Sequence, residues 1–269
     1  MKCKVVLLIL IALSGCSNEI RQFASQPAII EPLELIGRGK IVTEQKDWAV
    51  KVFAGNYTCT GEAISPQFIL TAQHCVTDDD MKVYPSDKVY VKYSNGINNY
   101  PGNTKHYSVN IHTSEKGDVA LIELKDPHDI NDWPRLNFSY SIPAGNDIGV
   151  IYGYGRHDPS DVNVDFDALY QANIMTKGYC TDSYGGRGIS LRGGTGWSLK
   201  GDSGGPLIIN GRQVGIDSRG DKGVNEDKGK NQSCYSDLSV HADWIIEKAH
   251  PVGNWILSME DIIRFQLNK

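Results

Sequence analysis

The chain has 269 residues and a formal net charge of −5 at neutral pH, with its Lys and Arg scattered. That pattern excludes the clustered basic surface on which nucleic-acid binding rests. The length suffices to bury a full core, and 28 glycines among short apolar runs fit an all-β chain with many turns.

At the N-terminus, Lys2 and Lys4 flank the start of an apolar run over residues 5–13. The run is shorter than the roughly 20 residues that a spanning helix needs, and it has the form of an export signal. Leu13-Ser14-Gly15-Cys16 resembles the lipobox of bacterial lipoproteins. The resemblance implies removal of residues 1–15 and acylation of Cys16, leaving a body in solution tied to a membrane of the cell envelope by acyl chains. Ser17, standing where an Asp would retain the protein at the inner membrane, implies the outer membrane of a Gram-negative cell. A plain secretory signal with an incidental cysteine is the alternative. Residues 16–34, with Pro27 and Pro32, read as a tether or pro-segment.

Residues 48–53 alternate and predict a strand, as do residues 58–64 and 68–72, joined by a turn at Ser65-Pro66-Gln67. Residues 89–93 continue the sheet up to Asn95-Gly96, a hairpin signal. His106, His112 and His128 read as surface histidines. Asp118 opens the apolar run Val119-Ala120-Leu121-Ile122. Residues 127–146, rich in Pro, Asn and Asp, predict a connection between two halves. Further strands are expected at residues 149–155 and 171–175. A hairpin is expected around Asn210-Gly211. Residues 240–248 have helical spacing, with His241 and Asp243 on the polar side. Residues 251–269 extend beyond it, with Trp255-Ile256-Leu257 and Ile262-Ile263-Phe265 read as helical.

Three stretches carry chemistry. Thr71-Ala72-Gln73-His74-Cys75 supplies an imidazole, Gly117-Asp118-Val119-Ala120-Leu121 a carboxylate, and Gly201-Asp202-Ser203-Gly204-Gly205-Pro206 a hydroxyl between glycines. A serine becomes a nucleophile when a base takes its proton and backbone N–H groups hold the oxyanion. A carboxylate that orients the base completes the set. Once Cys3 leaves with the signal and Cys16 carries lipid, Cys59, Cys75, Cys180 and Cys234 remain. An oxidising compartment pairs them, in one of three connectivities. Zinc is the competing use, although none of the four stands in a C-x-x-C pair.

These blocks, in the order His, Asp, Ser and at closely similar intervals, resemble the chymotrypsin/trypsin-like serine proteases. The resemblance runs over residues 35–246. It implies two six-stranded antiparallel Greek-key barrels with a C-terminal helix, forming a peptidase domain over residues 35–250. It further implies His74 as base, Asp118 as its orienting group, Ser203 as nucleophile, and the N–H groups of Gly201 and Ser203 as the oxyanion hole. Of the cysteine pairings, it selects Cys59–Cys75 and so leaves Cys180–Cys234, which departs from the family's positions. Ser218-Arg219-Gly220 matches a family segment at Ser218 and Gly220, Ser218 supporting the aspartate, while Arg219 replaces an aromatic residue. Trp197 and Ser198 fall at the pocket, with Trp197 where trypsin-like enzymes carry Asp, so cleavage after Lys or Arg is not supported. In one reading Trp197 packs the pocket wall and Arg219 points to solvent; in the other, a cation from Arg219 or Lys200 favours an acidic side chain before the scissile bond.

The family's activation pairs a freed N-terminus with Asp202. Leu35 is the expected new terminus and Ile41 the alternative. No metal or organic cofactor is implied, and the expected protein is a monomer acting on proteins or peptides. Two other readings use the same residues: a catalytically silent binding lipoprotein, and an esterase.

Overall fold

The computed structural model describes residues 39–142, 146–156, 168–220, 232–253, 255–257, 263 and 267. The signal, Cys16, the tether and Leu35 lie outside the described residues, as do most of residues 258–269.

The first barrel is built from β2 (Ala49–Ala54), β3 (Tyr57–Ser65), β4 (Phe68–Thr71), β5 (Val89–Asn95), β7 (His106–Thr113) and β8 (Ala120–Leu124). They pair in the order β2-β3-β4-β8-β7-β5, and β2–β5 pairing closes the ring. A short strand, β6 (Tyr100–Pro101), adds to β5 after a turn that begins at Gly96. The alternation is plain in β5, where Val89, Val91 and Tyr93 are buried and Tyr90, Lys92 and Ser94 are less so.

The second barrel consists of β9 (Ile148–Gly153), β10 (Tyr170–Thr181), β11 (Arg187–Gly193), β12 (Pro206–Ile209), β13 (Arg212–Gly220) and β14 (Gln232–Asp237). Its order is β10-β11-β14-β13-β12-β9, closed by β10–β9, with β1 (Lys40–Ile41) on the outer side of β10. Both rings are antiparallel and closed, which removes open sheet edges. The β12–β13 hairpin turns at Asn210-Gly211, with φ of 51° and 71°. Positive φ at both central positions matches the twist of the flanking strands.

The first barrel's core includes Val50, Val52, Ile69, Leu121 and Ile122. It is continuous with α1 (Ala242–Ala249), whose Ala242, Ile245, Ile246 and Ala249 fall on one helical face and are buried. A separate apolar cluster, including Ile151, Ile174, Ile189, Leu207 and Val214, fills the second barrel. Between the barrels the chain runs irregularly, and Leu136 makes a parallel bridge to Gln213.

Two expectations are corrected. Residues 255–257 are not helical: Phe138 N–H donates to Ile256 O and Ile256 N–H to Leu136 O, at 3.1 and 3.3 Å. Trp255 and Leu257 pack on the first core while Ile256 is exposed, which is the period of a strand. The connecting segment had free backbone groups to offer, and pairing with them outweighed the local helical spacing. His241 is not on the surface either. It is fully buried at the start of α1, with Nδ1 2.8 Å from Ser114 Oγ. Desolvation pushes its imidazole down to about 4.

Candidate active site

β4 and β8 pair in a register that sets Thr71 opposite Ala120. His74 follows Thr71 by three positions and Asp118 precedes Ala120 by two, so both leave the same end of adjacent antiparallel strands. A 3-10 turn, Gln73–Cys75, presents His74, and the Cys59–Cys75 disulfide ties that turn to β3. The Asp118 side chain is fully buried and accepts three hydrogen bonds. His74 N–H donates to Oδ1 at 2.9 Å, and the Ser218 hydroxyl donates to Oδ2 at 2.7 Å. His74 Nδ1 lies 2.7 Å from Oδ2. An ionised carboxylate only accepts, so Nδ1 carries the proton and Nε2 presents a lone pair.

Ser203 stands in the loop that leads into β12. Its carbonyl accepts from Thr60 N–H of the first barrel at 2.9 Å, fixing the loop across the barrel junction. His74, Gly201 and Ser203 line one cleft of about 270 Å³, together with Lys200, Asp78 and Asp79. Among the described residues Ser203 and His74 share this cleft without a hydrogen bond between their side chains. Such a contact often tightens only when substrate is bound.

The neighbouring backbone is heavily engaged. Leu199 N–H donates to Asp202 Oδ2, Asp202 N–H to Leu199 O, Gly204 N–H to Asp217 O and Gly205 N–H to Asp202 O. Among the described residues the N–H groups of Lys200, Gly201 and Ser203 have no protein acceptor. Gly201 has a φ of 103°. Of these, the N–H groups of Gly201 and of Ser203 itself are two donors that can receive an oxyanion.

Asp202 is buried, and its other oxygen, Oδ1, accepts from Gly155 N–H at 2.8 Å. Burial pushes its carboxyl up to about 7, against the pull of the Leu199 and Gly155 N–H groups. Ile41, the alternative new terminus, lies in β1 opposite Tyr170.

A trypsin family model matches residues 35–245. The chain belongs to the trypsin family. Among its relatives, it is 28% identical over 190 residues to snake venom serine protease BthaTL of Bothrops alternatus, across 64% of this chain and 78% of that one. It is 25% identical over 236 residues to trypsin iota of Drosophila melanogaster, covering 81% and 89% of the two chains. Among solved structures, the scabies mite inactivated protease paralogue S-D1 superposes with a TM-score of 0.62 at 18% identity, across 80% of this chain and 99% of that one. Neuropsin of mouse brain gives 0.58 at 18% identity, over 78% and 97%. These two likenesses show the shared barrel fold.

Within this trypsin-family frame, Cys180–Cys234 forms the second disulfide, joining β10 to β14. Trp197 is half-buried, and Ser198 Oγ donates to Asp217 Oδ1 at 3.3 Å. Arg219 is exposed and its Nε–H donates to Thr181 O at 3.0 Å, while Gly220 ends β13. The Cys59, His74 and Cys75 grouping offers no metal site, because both sulfurs are bonded to each other.

Three residues at the site were not singled out from sequence. The Thr60 hydroxyl accepts from Tyr154 N–H at 2.9 Å and donates to Gly201 O at 3.0 Å. Asp217 is buried behind Ser198, and desolvation together with nearby Asp202 holds its carboxyl well above the usual range. Asp182 accepts the backbone N–H of Asp118 at 2.9 Å. Each acts across the barrel junction or between distant strands, so no local pattern marks it.

Proposed function

We propose that the protein is an exported serine endopeptidase that hydrolyses peptide bonds through an acyl-enzyme. The observation that carries the reading is the held imidazole: Asp118 fixes the Nδ1–H tautomer, and His74 lines the same cleft as Ser203. In this reading Ser203 Oγ attacks the peptide carbonyl as its proton passes to Nε2. The negative charge that forms on the carbonyl oxygen is met by the N–H groups of Gly201 and Ser203, each worth roughly 3–4 kcal/mol in such sites. Collapse expels the amine, which takes the proton from Nε2. Water, deprotonated by the same nitrogen, then cleaves the ester and restores Ser203. Asp118 stabilises the imidazolium in both halves without taking its proton.

The same proposal places the body at the cell envelope through acylated Cys16, after removal of residues 1–15. Labelled fatty acid incorporated by the full chain and lost in Cys16→Ser supports anchoring; equal incorporation in both contradicts it. Lys200, which lines the cleft, supports a preference for an acidic residue before the scissile bond, whereas Arg219 is not among the residues that line it.

The test is a peptide-library digest. Cleavage by the wild type, none by Ser203→Ala, and enrichment of Glu or Asp before the cut are the expected results. Cleavage retained in Ser203→Ala overturns the assignment, and no acidic enrichment overturns the specificity. A folded wild type that cuts nothing favours a silent binding protein.

A further inference from the structure

The turn between β10 and β11, residues 182–186, crosses from the second barrel to the first and touches the supports of both His74 and Asp118. We propose that Asp182 is a positioning residue that holds Asp118 in register with His74 by gripping its main chain; the proposal rests on the proteolytic reading above for its kinetic consequence.

Asp182 is almost fully buried. Its Oδ1 accepts from Tyr184 N–H and Gly186 N–H at 2.9 and 2.8 Å, which shapes its own turn. Its Oδ2 accepts from Asp118 N–H at 2.9 Å and from the Ser236 hydroxyl at 3.0 Å. Three of the four partners are backbone N–H groups, so both oxygens must be acceptors; the Ser236 hydroxyl also lies 3.2 Å from Asp118 O. An Asn amide would set its NH2 against at least one backbone N–H in either orientation.

The approach is close enough to need glycine on both sides. A Cβ on Gly117, which has a φ of 151°, would stand 2.3 Å from Asp182 Oδ2 and 3.1 Å from Gly186 Cα. A Cβ on Gly186 would stand 2.3 Å from Lys116 O and 2.6 Å from Gly117 Cα. The two backbones therefore touch, and the carboxylate fits between them.

The same turn serves the other supports. Ser183 N–H donates to Ser218 Oγ at 2.9 Å, which directs that hydroxyl's proton toward Asp118. Tyr184 OH lies 2.7 Å from Thr77 Oγ1, and Thr77 Oγ1 donates to Gln73 O, the residue before His74. The Cys180–Cys234 disulfide gives this turn its base. Cys180 precedes Asp182 by two positions, Cys234 precedes Ser236 by two, and both bonded residues flank the pair that meets Asp118. A bridge away from the family's usual positions thus has a local purpose.

The test compares wild type, Asp182→Asn and Gly117→Ala, all as full-length chains. Two quantities are read: kcat and KM per covalently titrated serine on a peptide that the wild type cleaves, and the low-field proton resonance of the His74 Nδ1–H bond. The expected result for both variants is a kcat lowered by about 10- to 100-fold with KM within about threefold, and a displaced or lost resonance. Unchanged kcat per site with an unmoved resonance in a folded variant overturns the proposal. If Asp182→Asn does not fold, Gly117→Ala and the paired Cys180→Ser/Cys234→Ser variant give the same two readings. A wild type that cleaves nothing counts against the proteolytic reading, and the resonance then decides on Asp182.

Discussion

The two barrels support their shares of the site by different physics. In the first, His74 and Asp118 leave neighbouring strands that stand on an apolar core continuous with α1. In the second, the Ser203 loop is held by buried polar groups: Asp202 on two backbone N–H groups, and Asp217 on Ser198. Each side also carries a buried titratable group, His241 beside the first core and Asp202 in the Ser203 loop, and burial shifts the two in opposite directions. His74 and Ser203, the proposed base and nucleophile, should therefore respond to different perturbations.

The largest effects ignore the difference. Ser203→Ala and His74→Ala should each lower kcat by about 10⁶-fold, since such groups act as a unit. Unequal losses, measured by steady-state kinetics, would mean that one barrel's group is dispensable. Asp118→Asn should keep the geometry but misassign the tautomer, with a loss in kcat of about 10⁴-fold and little change in KM.

The disulfides separate the barrels by stability. Cys180–Cys234 closes a sequence separation of 54 and Cys59–Cys75 one of 16. Loop-closure entropy then assigns about 4 kcal/mol to the first and about 3 kcal/mol to the second. Denaturant unfolding of the two Ser/Ser variants checks the order; a larger loss for Cys59/Cys75 would reverse the ranking. Thr60→Val, which removes the hydroxyl between Tyr154 and Gly201, should cost about 1–2 kcal/mol in the same assay. It should also lower kcat more than it raises KM, because Gly201 carries one of the N–H groups proposed to hold the oxyanion.

The pH responses give the sharpest contrast. Asp202 is raised from 3.8 to about 7 by burial, so the folded state holds its proton more tightly than the unfolded state. Its contribution is present below pH 4 and is lost as pH rises through about 7. His241, lowered from 6.5 to about 4, does the reverse: its contribution is present above pH 6.5 and is lost as pH falls through about 4. Asp202→Asn should flatten the loss toward neutral pH, and His241→Gln the loss toward acid, each read as midpoint against pH. A chain whose freed amino terminus pairs with Asp202 should show a rise toward neutral pH instead.

Much of this was legible where the signal is local. The order of the His, Asp and Ser blocks, the alternation of β5 and the Asn210-Gly211 turn are written in adjacent residues. Long-range pairing was not. His241 reads as the polar side of a helix, yet it meets Ser114 of the first barrel. Trp255-Ile256-Leu257 has helical spacing, yet the connecting segment supplies a strand partner. Asp182 and Thr60 sit in ordinary stretches, and only the meeting of the barrels gives them a role.

The most direct measurement is the mass of the peptide that contains Ser203 after treatment with a fluorophosphonate. The account predicts a covalent adduct on Ser203 in the wild type, and its loss in both Ser203→Ala and His74→Ala. A folded wild type that stays unlabelled, or a His74→Ala chain labelled as fast as the wild type, would contradict it.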